Sequence, residues 1–235
     1  MEVILAGVRN RTIDGAGQST ASGDLAAPPC PTLVRMNGHP PVGTEIEIER
    51  PVAGPHRATI EVDGQAVETL ADLPPLRDRL LFVGLNPSPI SVTAGHYHQG
   101  KLDQAFWRRL IKATILPADT PIDAADDALV AAGHGITDLL KTPTARDDAS
   151  DGTLTAGVGP LWQKIAIWRP AAVVFVYKRA AEIAAGRRLD ETWGQLHGVA
   201  LAGRPCFLMP GPYAPRAEVD EGLNFLRNLA ASLPR

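Results

Sequence analysis

Apolar and polar residues change their rhythm about a third of the way along the chain. Up to Leu70 they alternate in short runs, Glu2–Ala6, Thr32–Met36, Glu45–Glu49 and Ala58–Val62, divided by Gly, Pro and Asn clusters, and each run predicts a short strand. Asp63-Gly64, between Val62 and the stretch Ala66–Leu70, predicts a tight hairpin turn. Asp14–Pro31, rich in Gly, Ser, Ala and Pro, predicts a loop, and Pro74-Pro75 punctuates the chain. These signals divide it into a small β-rich accessory module over 1–75 and a larger domain over 76–235.

Beyond Leu76, strands alternate with amphipathic helices. Leu80–Val83 is an apolar run closed by Gly84, and Phe106, Trp107, Leu110 and Ile111 share one face of a helix expected over Asp103–Ile115. A second helix is expected over Ala124–Ala132, closed by Gly133. Leu154, Val158, Leu161, Trp162, Ile165 and Trp168 recur at three and four residues and predict one helix that Pro170 stops before a strand at Ala171–Tyr177. A helix at Arg179–Ala185, strands at Val199–Leu201 and Cys206–Met209, and a helix at Val219–Leu233 complete the pattern. The alternation predicts an α/β fold, a three-layer α/β/α sandwich with a mainly parallel central sheet, preceded by the β-rich N-terminal module.

Composition narrows the possibilities. No apolar run approaches the length that spans a bilayer, so no membrane association is expected. Met1–Asn10 lacks the features of a secretory signal, which predicts a cytoplasmic protein, nucleoid-associated if bacterial. Cys30 and Cys206 are too few for a disulfide framework, a four-thiolate zinc site or an iron–sulfur cluster. The net charge of −3 is unevenly divided: Met1–Pro75 carries 5 Arg and 10 acids, and Leu76–Arg235 carries 18 Lys or Arg and 16 acids. A nucleic-acid partner would therefore have to be held by a local patch and helix ends rather than by bulk charge.

In open α/β sheets the chemistry gathers on loops leaving the carboxyl ends of strands. The loops Gly84–Gly100 and Pro210–Arg216 occupy such places. The first opens Gly84-Leu85-Asn86-Pro87-Ser88-Pro89, where Asn86 is held either to cap the turn or to position a water. No acid lies within this loop. Tyr97 either packs the loop down or offers an aromatic platform. His96 and His98 have metal-ligand spacing but no third ligand nearby in the sequence, so no metal and no cofactor is expected.

Gly84-Leu85-Asn86-Pro87, then Ala94-Gly95, the aromatic and His residues after it, and Phe106-Trp107 resemble the first motif of the mismatch-specific uracil/thymine branch of the uracil-DNA glycosylase superfamily. The likeness continues through Gly135-Ile136-Thr137-Asp138-Leu139, Arg146, Tyr177-Lys178 and Trp193-Gly194, over about Leu76–Arg235. Where the family's second motif has Asn or His before Pro-Ser, this chain runs Met209-Pro210-Gly211-Pro212-Tyr213-Ala214-Pro215-Arg216.

The resemblance implies a monofunctional DNA glycosylase of base excision repair. Its partner would be double-stranded DNA with a mispaired or damaged base, most simply uracil or thymine opposite guanine, and a monomer is expected. The same fold acting on hypoxanthine, or binding nucleic acid without catalysis, is the alternative. Such an enzyme flips its base into a pocket, at a cost lowest for a mispaired one. The implied roles are water positioning by Asn86, base binding by Gly84, Leu85, Pro87, Tyr97 and His98, and DNA contacts by Ser88, Ser91, Lys178, Gly211, Tyr213 and Arg216. Tyr213 and Arg216 would fill the gap left by the flipped base.

Overall fold

The burial of one strand explains the layered architecture. All five residues of β3, Leu80–Gly84, are buried, and their side chains divide between two separate apolar clusters. Leu80 and Phe82 enter one cluster, Leu81 and Val83 the other. A strand buried on both faces requires a helical layer on each side. The computed structural model describes residues 53–145 and 148–233; the runs Glu2–Ala6, Thr32–Met36 and Glu45–Glu49, the loop Asp14–Pro31, Cys30 and Arg146 lie outside the described residues.

The central sheet contains β4 (Gly135–Asp138), β5 (Ala172–Phe175), β6 (Gly194–Leu201) and β7 (Arg204–Leu208) besides β3, in the order β4-β3-β5-β7-β6. All neighbours are parallel except β6, which pairs antiparallel with β7 at the edge. On one face, α2 (Ala105–Lys112), α3 (Ala125–Ala131) and α7 (Arg216–Ala231) contribute Trp107, Leu110, Leu129, Leu223 and Leu226 to the core. On the other, α4 (Asp151–Thr155), α5 (Val158–Trp168) and α6 (Lys178–Ala185) contribute Leu154, Leu161, Ile165, Ala180 and Ala181. This is the three-layer α/β fold that the sequence predicts.

Ahead of the sheet, β1 (Arg57–Val62) and β2 (Gln65–Leu70) form an antiparallel hairpin. Asp63 and Gly64 turn it with φ of +51° and +76°, as their sequence anticipates. The hairpin leads straight into the main core: Leu70 and Leu73 are buried in the cluster that holds Phe82 and Trp107, and Leu73 exchanges backbone hydrogen bonds of 3.0 and 2.8 Å with Ile136 of β4.

Several boundaries differ from the sequence expectation for identifiable reasons. The helix expected over Leu154–Trp168 is broken into α4 and α5, because Pro160 has no N–H to offer the carbonyl four residues earlier and fits only the first turn of a new helix. α2 ends at Lys112, before Thr114 takes a left-handed φ of +58°. β6 begins at Gly194, five residues before the apolar run Val199–Leu201, its register broken between Gln195 and Ala200. Within the Gly84–Gly100 loop lies a short helix, α1 (Pro89–Ala94), which the Ser88 side chain caps by accepting from the Ser91 N–H.

Candidate active site

The carboxyl ends of β3, β4, β5 and β7 open into one cleft of about 470 Å³. Asn86 and Pro87 follow β3, Asp138 ends β4, Val176 and Tyr177 follow β5 and Met209 follows β7, and all of them line it. β3 has β4 on one side and β5 on the other, so the chain reverses its direction of travel across the sheet here, and crevices form at such a switch point. The volume lies within the roughly 300–1,000 Å³ usual for small-molecule pockets.

Asn86 is half-buried at the cleft. Its Nδ2 donates to Thr144 Oγ1 at 2.7 Å and to the Pro87 carbonyl at 3.3 Å. Both amide hydrogens are thus engaged within the surrounding loops, and the amide's remaining polar function is its oxygen, an acceptor. A neutral acceptor fixed in this way can hold a water by one of the water's hydrogens.

The acid missing from the Asn86 loop comes from the neighbouring strand. Asp138 is paired in register with Gly84, and its carboxyl lies over that glycine so closely that a Cβ at position 84 would be 2.1 Å from Asp138 Oδ1. Gly84 is therefore required by close approach. Asp138 Oδ2 is buried and has no hydrogen-bond partner among the described residues. Burial pushes its carboxyl up to about 7; Lys141 and Lys164 oppose that rise, and Asp72 and Asp103 reinforce it.

Behind Asp138, Asp72 joins two lysines. Lys164 Nζ lies 2.7 Å from Asp72 Oδ2, Lys141 Nζ lies 3.1 Å from Oδ1, and Thr137 Oγ1 donates to Oδ1 at 2.6 Å. Burial alone would raise the Asp72 carboxyl, but the two ammonium groups outweigh it and hold it below the usual carboxylate range. Lys141 also donates to the Tyr97 hydroxyl at 3.0 Å, and that hydroxyl donates to the Ala71 carbonyl at 2.8 Å. Tyr97 lines the cleft yet is only 1% exposed, so its ring forms a fixed wall and offers a ligand little area. Burial and the carboxylates of Asp138, Asp72 and Asp126 keep its phenol neutral.

His98 follows Tyr97 with a left-handed φ of +54° and packs its imidazole 4.5 Å from the Phe106 ring. Burial lowers its pKa to about 4, although Asp103 pulls the other way, so the ring is neutral at pH 7. His98 Nε2 is a second buried polar atom without a partner among the described residues. One cleft therefore collects two unanswered polar atoms, on Asp138 and His98, beside a fixed amide. Buried polar atoms without partners are uncommon in folded proteins, and here both belong to residues facing a cavity.

The remaining sequence-predicted residues divide between cleft and surroundings. Leu85, Pro87, Ser88, Ser91 and Tyr213 line the cleft. The serine hydroxyls also bond within the loop, Ser88 Oγ donating to Ser91 Oγ at 2.9 Å and Ser91 Oγ accepting from the Gln99 N–H at 3.1 Å. Tyr213 stands 84% exposed at the rim. Gly84 lies under Asp138, and Lys178 and Arg216 begin α6 and α7; none of these three lines the cavity. Gly211 is outside the lining too, and its carbonyl and that of Pro210 accept from the Arg109 guanidinium at 3.1 and 2.7 Å.

Sequence reasoning gave no role to Asp138, Asp103, Arg109, Thr144 or Arg179, all of which line the cleft. Asp138 had a visible signal, a polar residue ending the Gly135–Asp138 segment much as Asn86 follows Leu80–Gly84. Arg109 had none, since its role is to hold a loop 101 residues away.

Fold and cleft together define a class, a three-layer α/β protein with a polar ligand pocket at the strand ends of a mainly parallel sheet. The model of the Uracil DNA glycosylase superfamily matches residues 71–225, well over half of the chain. The chain belongs to that superfamily. Its members are typically DNA glycosylases, hydrolases of DNA repair, which makes DNA the partner. A comparison with curated proteins finds no match.

Proposed function

We propose that this protein is a monofunctional, mismatch-specific DNA glycosylase that removes uracil or thymine opposite guanine from double-stranded DNA. The observation that carries this reading is the anchored Asn86 amide, its two donors engaged by Thr144 and Pro87, in a strand-end cleft of about 470 Å³, roomy enough to admit a base. Asn86 accepts a hydrogen bond from a water and aims it at C1′ of a flipped nucleotide. The water oxygen bonds to C1′, the bond from C1′ to the base nitrogen breaks, and its electron pair leaves with the base.

Positive charge develops on the sugar and negative charge on the base, so fixed dipoles and charges supply most of the rate. Asp138 in its ionised form stabilises the sugar and takes the water's proton. A carboxyl titrating near 7 suits that role at neutral pH. Neutral His98 donates from Nε2 to a carbonyl oxygen of the departing base. Tyr213, exposed at the rim, enters the stack where the base has left. The protein acts as a monomer in the cytoplasm, with Ser88, Ser91, Lys178, Gly211 and Arg216 on the DNA side of the cleft.

A second reading follows from Gly211. The second loop has it where the family's motif carries Asn or His, so the pyrimidine-directed side chain of that motif is missing and another base carrying adjacent C=O and N–H groups, such as hypoxanthine, is accepted in place of a pyrimidine. Duplexes containing uracil, thymine, hypoxanthine or ethenocytosine, each followed by alkali cleavage, decide between them. Release from uracil opposite guanine, lost at least 100-fold in Asn86→Ala with duplex binding retained, is the expected result. Release from hypoxanthine alone selects the second reading, and no release from any duplex leaves a binding protein without catalysis.

A further inference from the structure

Outside the cleft, four side chains from three segments meet. His56 precedes β1, His96 follows α1, and Asp126 and Asp127 stand in the first turn of α3. His56 Nε2 donates to Asp127 Oδ1 at 2.7 Å, and His96 Nδ1 donates to Asp126 Oδ1 at 2.8 Å. The two imidazoles lie edge to face at 5.7 Å, and the four ligand atoms are all within 4.8 Å of one another. His56 and Asp126 are buried. His98, the other half of the two-residue pair in the sequence, turns away to the cleft.

Charge makes this arrangement more than two hydrogen-bonded pairs. The two carboxyls stand side by side in a largely buried place, and among the described residues no Lys or Arg forms an ion pair with either aspartate. Adjacent buried carboxylates are costly unless a cation answers them. Two nitrogens with two carboxylate oxygens match the donor preference of zinc and its neighbours, whereas calcium and magnesium favour all-oxygen sites. In a tetrahedral zinc site, ligand atoms at roughly 2.0–2.2 Å from the metal lie about 3.4 Å apart. The close pairs need to open and the distant ones to close by only a small side-chain movement.

We infer that His56, His96, Asp126 and Asp127 form a binding site for one zinc-type divalent cation. Each imidazole then carries its proton on the ring nitrogen facing away from the metal, and both aspartates bind as carboxylates. Part of the supporting shell is in place: Asp126 Oδ2 accepts from the Tyr97 N–H at 2.8 Å, and Asp127 Oδ1 accepts from the Gly54 N–H at 2.8 Å. The cation fastens the segment before β1 and the loop after α1 onto α3, and so fixes the backbone that carries Tyr97 and His98 into the cleft. This inference does not depend on the base the enzyme removes.

The full-length protein, stripped with a chelator and dialysed, is titrated with Zn²⁺ against a chromophoric competitor and with Co²⁺ while the visible d–d absorption is followed. One equivalent bound at micromolar or tighter dissociation constant is expected, with the transition temperature raised by Zn²⁺. His56→Ala and His96→Ala should lose the bound equivalent, the Co²⁺ bands and the temperature shift, while His197→Ala, at an exposed position of β6, keeps all three. Should the two variants fail to fold, X-ray absorption on the zinc-loaded wild-type protein counts the ligands directly, and two imidazoles are expected. Failure of the wild-type protein to bind one equivalent, retention of binding in folded His56→Ala and His96→Ala, or a spectrum without two imidazoles overturns the inference.

Discussion

Replacing Asp138 by Asn tests whether the acid in the cleft is a strained carboxyl or a comfortable one. An unfolded Asp titrates near 3.8, and burial moves the folded carboxyl to about 7. Between those values the folded state holds a proton that the unfolded state has lost. The stability tied to that proton is fully present below 3.8, declines as pH rises, and is gone once pH has passed through about 7. The distance between the two values corresponds to about 4 kcal/mol at most.

Asn cannot ionise, so Asp138→Asn escapes this loss. Urea and thermal unfolding of both proteins from pH 4 to 9 should show the variant gaining on the wild type between pH 4 and 7, then holding a constant lead. For a domain of this size about 4 kcal/mol corresponds to roughly 8–16 °C in transition temperature. Any constant offset from the substitution itself drops out, because the argument concerns only the change of the gap with pH. A gap that stays level from pH 4 to 8, or one that narrows as pH rises, refutes the placement of an unanswered carboxyl at the floor of the cleft. Base release by the wild-type enzyme should rise through about pH 7 and level off, a limb that Asp138→Asn lacks.

Gly84→Ala puts a methyl group 2.1 Å from Asp138 Oδ1, and denaturant titration should show a loss of about 1–3 kcal/mol, with base release lost as well. Asp72→Ala leaves Lys164 and Lys141 without their shared carboxylate, and about 3–5 kcal/mol of stability should disappear in the same measurement. Tyr213→Ala should leave stability within about 0.5 kcal/mol, because the side chain is 84% exposed, yet weaken binding and base release on mismatched duplexes.

Neighbours in sequence account for most of what could be read before the fold was known. Leu80–Gly84 announces a doubly buried strand because all its residues are apolar or glycine, and a strand end followed by Asn-Pro marks where chemistry collects. Asp63-Gly64 announces its hairpin because few residue pairs tolerate two left-handed positions. The motif from Gly84 to Trp107 carries the family resemblance, and its Asn86 does line the cleft. Helix ends were less legible, since Pro160 divides a run whose apolar spacing continues across the break.

Spacing along the chain thus determined the alternation of strands and helices, the hairpin and the position of the amide. Only the tertiary structure decided which groups surround that amide. Asp138 shares its cleft because β3 and β4 pair in parallel with Gly84 opposite Asp138, and a register between strands 54 residues apart leaves no mark on local pattern. His56 meets Asp127, and His96 meets Asp126, for the same reason: their separations of 71 and 30 residues are closed where the segment before β1 and the loop after α1 come against α3, not by any periodicity. Charge, burial and titration are properties of such meetings, so the chemistry of the cleft comes into being when the sheet closes.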